Sequence, residues 1–389
     1  MRITSVRAWV LRMPWEGEGD PRDQWRDDTL PGTDYFLRPE NGCVYAGSLE
    51  SMLVKIETDE GTHGWGEAQA PIAAGATAAV VRELLGPLVI GQDPRDRHVV
   101  WSRMVRSMAT RGHQTGLVRD AMAAVDMAVW DIAARAAGVS IATLLGGVFR
   151  HELEAYASGV PGRDFDARAE NARRLVAAGF RHFKLVLGYG VREDTSEVEA
   201  FREVVGPSIG IYADAHWRYT ADEAIRLGRE LARLGVGFLE ASVPTEAVEA
   251  QRRVASEAGL PVALGEEYRS PREYHDRLAA GAMGIAQPDI GRCGFTTVRQ
   301  IADLCHLFHV PVAPHLGVGL GVYVAAALQL AASVPNFYLM ECDPEPGLVF
   351  ANRILREPVR VEAGVYRVPQ GPGLGVEVDE AAVRTWAVA

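Results

Sequence analysis

The chain reads as a (β/α)-barrel joined to a small α+β unit, with a C-terminal tail that returns to that unit. Three observations predict this. Beyond about residue 150, a unit of apolar strand, polar loop, amphipathic helix and glycine recurs, giving eight strand candidates over roughly 200 residues. Six of those strands close on an acid or a histidine at nearly constant spacing. Ahead of the repeat, strand-like runs come first and helical patterns follow, a different order of elements. The length of 389 residues agrees, since it exceeds one ordinary domain and suits a barrel with something smaller.

In the N-terminal unit, residues 3–11 and 51–58 have strand-like apolar content, and Asp59-Glu60-Gly61 turns the chain into 62–68. Residues 14–47 are long, charged and aromatic, with Trp15, Trp25, Tyr35 and Phe36, and are expected to form a lid loop or a disordered segment. Helical patterns follow at 76–85, 96–108 and 117–137, and Leu144-Leu145-Gly146-Gly147 closes this region. Strands of the repeat are expected at 153–157, 182–187, 210–214, 237–241, 262–266, 284–288, 310–313 and 337–341. The helix at 221–234 opens with Thr220 and Glu223 in a capping box and stops at Gly235. Ser270-Pro271-Arg272-Glu273 repeats the start signal and Gly281 the stop. After about Arg356, short strand-like runs and Gly371-Pro372-Gly373 mark the returning tail. The expected units are 1–125, 126–356 and 357–389.

Composition excludes several classes. Hydrophobic content of 48% with 23% charged residues is ordinary globular composition, so neither disorder nor a collagen-like repeat fits. No apolar run reaches the roughly 18 residues of a membrane helix, and residues 1–19 lack the apolar core of a signal peptide. A formal charge of −11 argues against nucleic acid and anionic lipid as partners. Cys43, Cys293, Cys305 and Cys342 lie far apart without a C-x-x-C, so no disulfide frame or zinc finger is expected. A cytoplasmic location follows as the expectation.

Chemistry concentrates at the strand ends. In a parallel barrel all strand C-termini open on one face, so residues that close strands share one site. Asp214 to Glu240 is 26 positions, Glu240 to Glu266 is 26, Glu266 to Asp289 is 23, Asp289 to His315 is 26, and His315 to Glu341 is 26. Acids scattered over a surface would not keep that register. Gathered together, Asp214, Glu240 and Glu266 would repel one another without a cation, and an all-oxygen donor set suits a hard divalent ion such as Mg²⁺. Lys184 on the preceding strand offers salt bridges instead, but one lysine does not offset three acids. Asp289 beside His315 would accept its Nδ1–H and leave Nε2 as a general base. His216, two residues after Asp214, reads equally as a fourth ligand, a structural polar residue or an acid. His63, His98, His113 and His275 are taken as packed or surface residues.

Residues 179–184, Asp214-Ala215-His216, Glu240, Gly265-Glu266, Gln287-Pro288-Asp289 and Ala313-Pro314-His315 together resemble the enolase superfamily, mandelate racemase subgroup. The resemblance spans nearly the whole chain. It implies a modified (β/α)7β barrel under an α+β capping domain that the C-terminal tail completes. It also implies one Mg²⁺ per subunit on Asp214, Glu240 and Glu266, a homo-oligomer, and an enediolate formed from an acid substrate; lysine or histidine bases with Mg²⁺ are the general pattern of that superfamily. Two departures narrow the reading. Where the subgroup often carries a second lysine, this chain has Lys184-Leu185-Val186, and valine cannot serve as the second base of a racemase. The third strand carries His216, similar to the acid-sugar dehydratases of the galactonate and mannonate types, whose third-strand histidine protonates a leaving hydroxyl.

The resulting expectation is Mg²⁺-dependent loss of water from an aldonic or aldaric acid, giving a 2-keto-3-deoxy acid. His315, oriented by Asp289, is the expected base and His216 the expected acid. Glu341, if protonated, would hydrogen-bond an enediolate or carboxylate oxygen, and Lys184 would add positive charge nearby. Arg22, Trp25 and Arg26 in the long loop, with Glu267, are candidate substrate contacts. The rivals are a sugar-lactone cycloisomerase or epimerase on the same site, and a non-catalytic metal-dependent sugar-acid binder. A nucleotide loop is disfavoured, because residues 317–321 run Gly-Val-Gly-Leu-Gly and miss the sixth-position glycine of G-x-G-x-x-G.

Overall fold

The computed structural model describes residues 1–15, 28–38, 42–344 and 347–388. The N-terminal unit is a curled antiparallel sheet. Strand β1 (Ile3–Pro14) is followed by a short hairpin, β2 (Tyr35–Leu37) with β3 (Val44–Ala46), and then by β4 (Ser48–Thr58) and β5 (His63–Ala68). β4 pairs with β1 on one side and β5 on the other. The stretch expected as one long loop therefore contributes the end of β1 and a hairpin. Arg22, Trp25 and Arg26 lie outside the described residues.

Helices α1 (Ala74–Val80), α2 (Gly86–Val89), α3 (Arg97–Ala109) and α4 (Gly116–Ala137) follow, with a π turn at Val81–Leu85 between the first two. α4 lies directly against β5. A Cβ built on Gly64 would stand 2.3 Å from the Ala128 carbonyl, and one on Gly66 only 1.9 Å from that of Ala124. Glycine on the strand and alanine on the helix are thus what let the two backbones touch. The boundary expected at 125/126 falls inside α4, which is one continuous helix. After a short α5 (Ile141–Leu144) the chain enters the barrel.

The barrel staves and their helices are β6 (Glu152–Ser158), α6 (Phe165–Ala177), β7 (His182–Val186), α7 (Val191–Val205), β8 (Gly210–Asp214), α8 (Ala221–Arg233) and β9 (Val236–Glu240). They continue as α9 (Val248–Glu257), β10 (Val262–Leu264), α10 (Pro271–Ala279), β11 (Ile285–Ala286), α11 (Ile290–Leu307), α12 (Gly321–Ser333) and β12 (Met340–Cys342). Neighbouring strands from β6 to β11 are parallel, and β12 returns to pair with β6. The seventh stave, expected as a strand at 310–313, makes only single bridges, Ala286 with Val312 and Val312 with Phe337. Pro311 and Pro314 flank it, and proline has no N–H to donate to a ladder. With that stave counted, eight staves and seven intervening helices make the (β/α)7β barrel. Helix starts follow the sequence signals: Thr220 Oγ1 accepts the Glu223 N–H, and the Glu223 carboxylate accepts the Thr220 N–H in return.

The tail does more than return to the first unit. After α13 (Gly347–Asn352), β13 (Val361–Glu362) and β14 (Val365–Arg367) form a hairpin whose β14 pairs with the first residues of β6, Glu152–Glu154, ahead of the stretch that pairs with β12. Only then do α14 (Glu380–Trp386) and β15 (Ala387–Val388) reach the N-terminal sheet, where β15 pairs with β1. Among the described residues no helix is long and apolar enough to cross a membrane.

Inside the barrel one apolar layer gathers Tyr156, Tyr212, Phe238, Ala263, Ile285, Ala313 and Leu339. Side chains alternate along a strand, so the residue two positions later lies on the same inner side, one step nearer the mouth. Those residues are Ser158, Asp214, Glu240, Gly265, Gln287, His315 and Glu341. The floor of the site is therefore set by the layer beneath it.

Candidate active site

The alternation places Asp214, Glu240, His315 and Glu341 at one level, as their shared spacing implied, but puts Gln287 rather than Asp289 in that ring. Asp289 stands one step higher and bridges His315 through the backbone. Glu266 is one residue beyond the register, which Gly265 occupies with φ +145°. A Cβ on Gly265 would meet Gln287 backbone at 2.9 Å and the Tyr274 hydroxyl at 2.5 Å, so only glycine lets the chain turn there. Counted in register, the intervals from Asp214 to Glu341 are 26, 25, 22, 28 and 26, so the short interval lies between Gly265 and Gln287.

Lys184 sits at the centre of the acids. Its Nζ lies 3.0 Å from both oxygens of Glu240, 2.8 Å from Glu341 Oε1 and 3.8 Å from Asp214 Oδ2. All four groups are buried. Burial works against the ammonium charge, but Glu240 and Glu341 outweigh it and hold the lysine pKa well above its ordinary value. Lysine here is thus an internal counter-ion for several acids at once, a larger part than the nearby positive charge expected of it. Glu240 also accepts the Gln287 Nε2–H at 2.7 Å. Even so, burial keeps the Glu240 carboxyl well above the usual carboxylate range, with Asp214 and Glu341 adding repulsion.

His315 donates Nδ1–H to Asp289 Oδ2 at 2.7 Å, which is the orienting contact the sequence predicted. Its Nε2 faces Glu266 Oε2 at 2.8 Å and lies 4.0 Å from Glu341 Oε2. Burial opposes its charge, yet Glu266, Glu341 and Asp289 hold the proton and raise its pKa well above the ordinary value. Burial likewise opposes ionisation of Asp289, and the hydrogen bond from His315 brings its pKa below the usual range. The donor role of Glu341 was conditional on a proton, and its surroundings favour the ionised form. Burial would favour its neutral form, but Lys184 and His315 lower its pKa, and Glu341 Oε2 accepts the Leu316 N–H at 2.9 Å.

His216 lies across the mouth from His315, on the third of eight staves against the seventh. Its backbone N–H donates to Asp214 Oδ1 at 3.0 Å, and its Nδ1 stands 3.3 Å from the same oxygen. It adopts φ +46° and Trp217 φ +57°, so the turn after β8 holds two side-chain-bearing residues in the left-handed region. Glu267 turns back on its own loop, where its carboxylate accepts the Gly265 N–H at 3.3 Å. Val186 is 39% exposed and lines a cavity of 410 Å³ with Arg38, Val160, Arg163, Arg168 and Tyr189.

The donor set suits a hard cation: Asp214, Glu240 and Glu266 close three successive staves with oxygen ligands, and four acids including Glu341 share one lysine, Lys184, with His315 and His216 beside them among the described residues. Among the described residues no three His, Cys, Asp or Glu side chains already converge as a metal cluster. Lys184 bridges Glu240 to Glu341, and His315 engages Glu266. Two polar residues of the site, Gln287 and Ser158, were not singled out from the sequence. Alternation from Asp289 back to Gln287 was the available signal; Ser158, whose side chain bonds Glu341, had none.

Comparison with known proteins agrees with this geometry. Residues 46–146 match the family model described as mandelate racemase / muconate lactonizing enzyme, N-terminal domain, and residues 167–382 match that of the enolase C-terminal domain-like family. The chain is 39% identical over 345 residues to D-galactarolactone cycloisomerase of Agrobacterium fabrum, covering 85% of this chain and 90% of that protein. It is 34% identical over 349 residues to D-galactonate dehydratase of Ralstonia nicotianae, covering 85% and 90%. A crystal structure of an enolase superfamily member from Agrobacterium tumefaciens superposes with a TM-score of 0.93 at 34% identity, covering 98% of each chain.

Proposed function

The chain belongs to the enolase superfamily, and we propose that within it the protein is a Mg²⁺-dependent acid-sugar dehydratase. Its relatives act on sugar acids, and members of the superfamily are Mg²⁺-dependent. The observation that carries the reading is the pair of histidines on opposite staves, His315 backed by Asp289 and His216 beside Asp214. Binding alone has no need of either.

Asp214, Glu240 and Glu266 would hold the ion, which supplies positive charge at the substrate carboxylate. His315, with Nδ1 committed to Asp289, removes the α-proton at Nε2. Its proton in the present contact with Glu266 is the one it gives up before acting as a base. Lys184 keeps positive charge under the developing enediolate, beside Glu341. His216 then protonates the departing β-hydroxyl, so that the C–O bond breaks with loss of water, and the resulting enol becomes the 2-keto-3-deoxy acid. Val186 leaves the second stave without a base, which argues against epimerisation.

A second reading has specific support. One relative is named D-galactarolactone cycloisomerase; if a lactone were the substrate here, elimination of its ring oxygen would release a carboxylate, which needs no proton. The two readings separate at His216. With D-galactonate and D-galactarolactone in D₂O, α-proton exchange is followed by NMR and keto acid by a colour assay. His315→Asn is expected to lose exchange and product. His216→Asn is expected to lose dehydration of the galactonate and retain exchange. Full lactone opening by His216→Asn without any dehydration by the parent enzyme would favour the cycloisomerase, and exchange by His315→Asn would remove the assigned base.

A further inference from the structure

Outside the acid cluster, the end of β5 reaches from the capping sheet into the barrel. Glu67 is fully buried, and its carboxylate accepts the Ser51 hydroxyl at 2.7 Å, the Leu320 N–H at 2.6 Å and the Tyr323 N–H at 2.9 Å. Leu320 is the N-cap of α12 and has no capping side chain of its own. The orphan N–H groups of that helix are thus capped by a residue 253 positions away, on another domain. Two residues on, Gln69 ties the capping sheet to the first turn of α11, whose N-cap is Asp289 itself. The Gln69 N–H donates to the Gly291 carbonyl at 3.0 Å, and its Oε1 accepts Arg292 Nε–H and Nη2–H at 3.3 and 3.2 Å. These are the helices that begin after Asp289 and after the loop from His315.

Tyr323, in the first turn of α12, connects this grip to the dyad. It is fully buried. Its hydroxyl donates to Asp289 Oδ2 at 2.9 Å, the oxygen that also accepts His315 Nδ1–H, and accepts the Gly317 N–H at 3.2 Å. Asp289 Oδ1 is held separately by the Gly291 N–H at 2.7 Å. Without the tyrosine hydroxyl, Oδ2 keeps the imidazole and, at 3.5 Å, Arg292 Nε, and nothing else among the described residues fixes the carboxylate plane on that side.

We propose that Tyr323, anchored from the capping domain by Glu67, is the positioning residue for the Asp289–His315 pair. The inference rests on the reading of His315 as the base. It makes alignment of the base conditional on the capping domain being seated, because the same short stretch of β5 holds both helices.

The test uses Tyr323→Phe and Glu67→Gln in the full chain, with His315→Asn beside them. Selective ¹⁵N-histidine labelling locates the downfield Nδ1–H resonance of His315 in the protein without substrate, assigned by its loss in His315→Asn. Both positioning variants are expected to shift that resonance. With D-galactonate, α-proton exchange is expected to fall roughly ten- to hundredfold in Tyr323→Phe, as for loss of a buried hydrogen bond to a charged group, with KM unchanged. The primary deuterium isotope effect on exchange should rise, since proton abstraction becomes more limiting; a mere loss of folded molecules would leave it as it was. If Tyr323→Phe and Glu67→Gln keep the parent resonance and exchange rate while His315→Asn loses both, the positioning role is refuted and the base stands. If His315→Asn still exchanges the α-proton, the base reading and this inference fall together.

Discussion

Replacing Lys184 by methionine removes the cation that Glu240, Glu341 and Asp214 share and leaves the volume nearly filled. Breaking a buried ion pair by deleting one partner costs about 3–5 kcal/mol, because the other partner is left uncompensated. Here three acids lose one lysine, with contacts of 3.0, 2.8 and 3.8 Å, so the upper part of that range applies. At about 2 °C per kcal/mol for a large domain, the variant should unfold roughly 8–10 °C below the parent in EDTA. Mg²⁺ reverses the ordering of effects. An ion held by Asp214, Glu240 and Glu266 restores positive charge to the same acids, and it no longer has an ammonium to repel it. Saturating Mg²⁺ should therefore raise the melting temperature more in Lys184→Met than in the parent, narrowing the gap to less than about half. Ligand at a hundredfold over its Kd contributes about 2.7 kcal/mol, enough to be read by calorimetry. A gap of equal size in EDTA and in Mg²⁺ would refute the idea that lysine and metal serve the same carboxylates.

Three further outcomes follow from the geometry. Glu240→Gln should abolish turnover and the Mg²⁺-dependent rise in melting temperature while the apo protein stays folded; full activity after exhaustive chelation would remove the metal altogether. Gly66→Ala forces a methyl group to 1.9 Å from the Ala124 carbonyl, so α4 must move, at a cost of about 1–3 kcal/mol or more, and circular dichroism melts should show it. Asp126 on α4 is buried against Thr296 of α11, and burial raises its pKa from 3.8 to about 7. A raised folded pKa means that the folded state binds the proton more tightly, so its contribution is full below pH 3.8 and is lost as pH rises to about 7. Relative to the parent, Asp126→Asn should become more stable between pH 5 and 7.5 in urea titrations, and a difference independent of pH would contradict the raised pKa.

Much of the barrel was legible because its chemistry obeys local periodicity. Asp214, Glu240, His315 and Glu341 each follow an apolar residue two positions earlier in the interior layer, and a period of two is written in the chain itself. The same rule, applied backwards from Asp289, would have found Gln287. The seventh stave was over-read as a strand because Val310-Pro311-Val312-Ala313-Pro314 is apolar, whereas its two prolines limit it to isolated bridges. The condition set for Glu341, a protonated carboxyl, turns on its 2.8 Å contact to Lys184, a tertiary fact that the sequence does not show. Glu67, Gln69 and Tyr323 escaped the reading for a different reason. Glu67 and Gln69 find their partners on the other domain, Tyr323 meets Asp289 34 residues away, and nothing near Leu320 signals that a helix without a local cap finds one 253 residues away.

The pairing of β15 with β1 has a consequence for how the protein is made. Val10 and Leu11 meet Val388 and Ala387, which are translated 378 and 376 positions later. At about 5–20 residues per second, one side of β1 spends tens of seconds on the ribosome with its backbone N–H and C=O groups unmatched. Such an edge is a template for a neighbouring nascent chain, and on a polysome those neighbours carry the same strand at high local concentration. Lys55 on β4 waits through 325 further residues for Glu380, which it meets at 2.7 Å. Soluble yield should then depend on chaperone cover during translation more than on the stability of the finished molecule, and slowing the ribosome would lengthen the period of exposure.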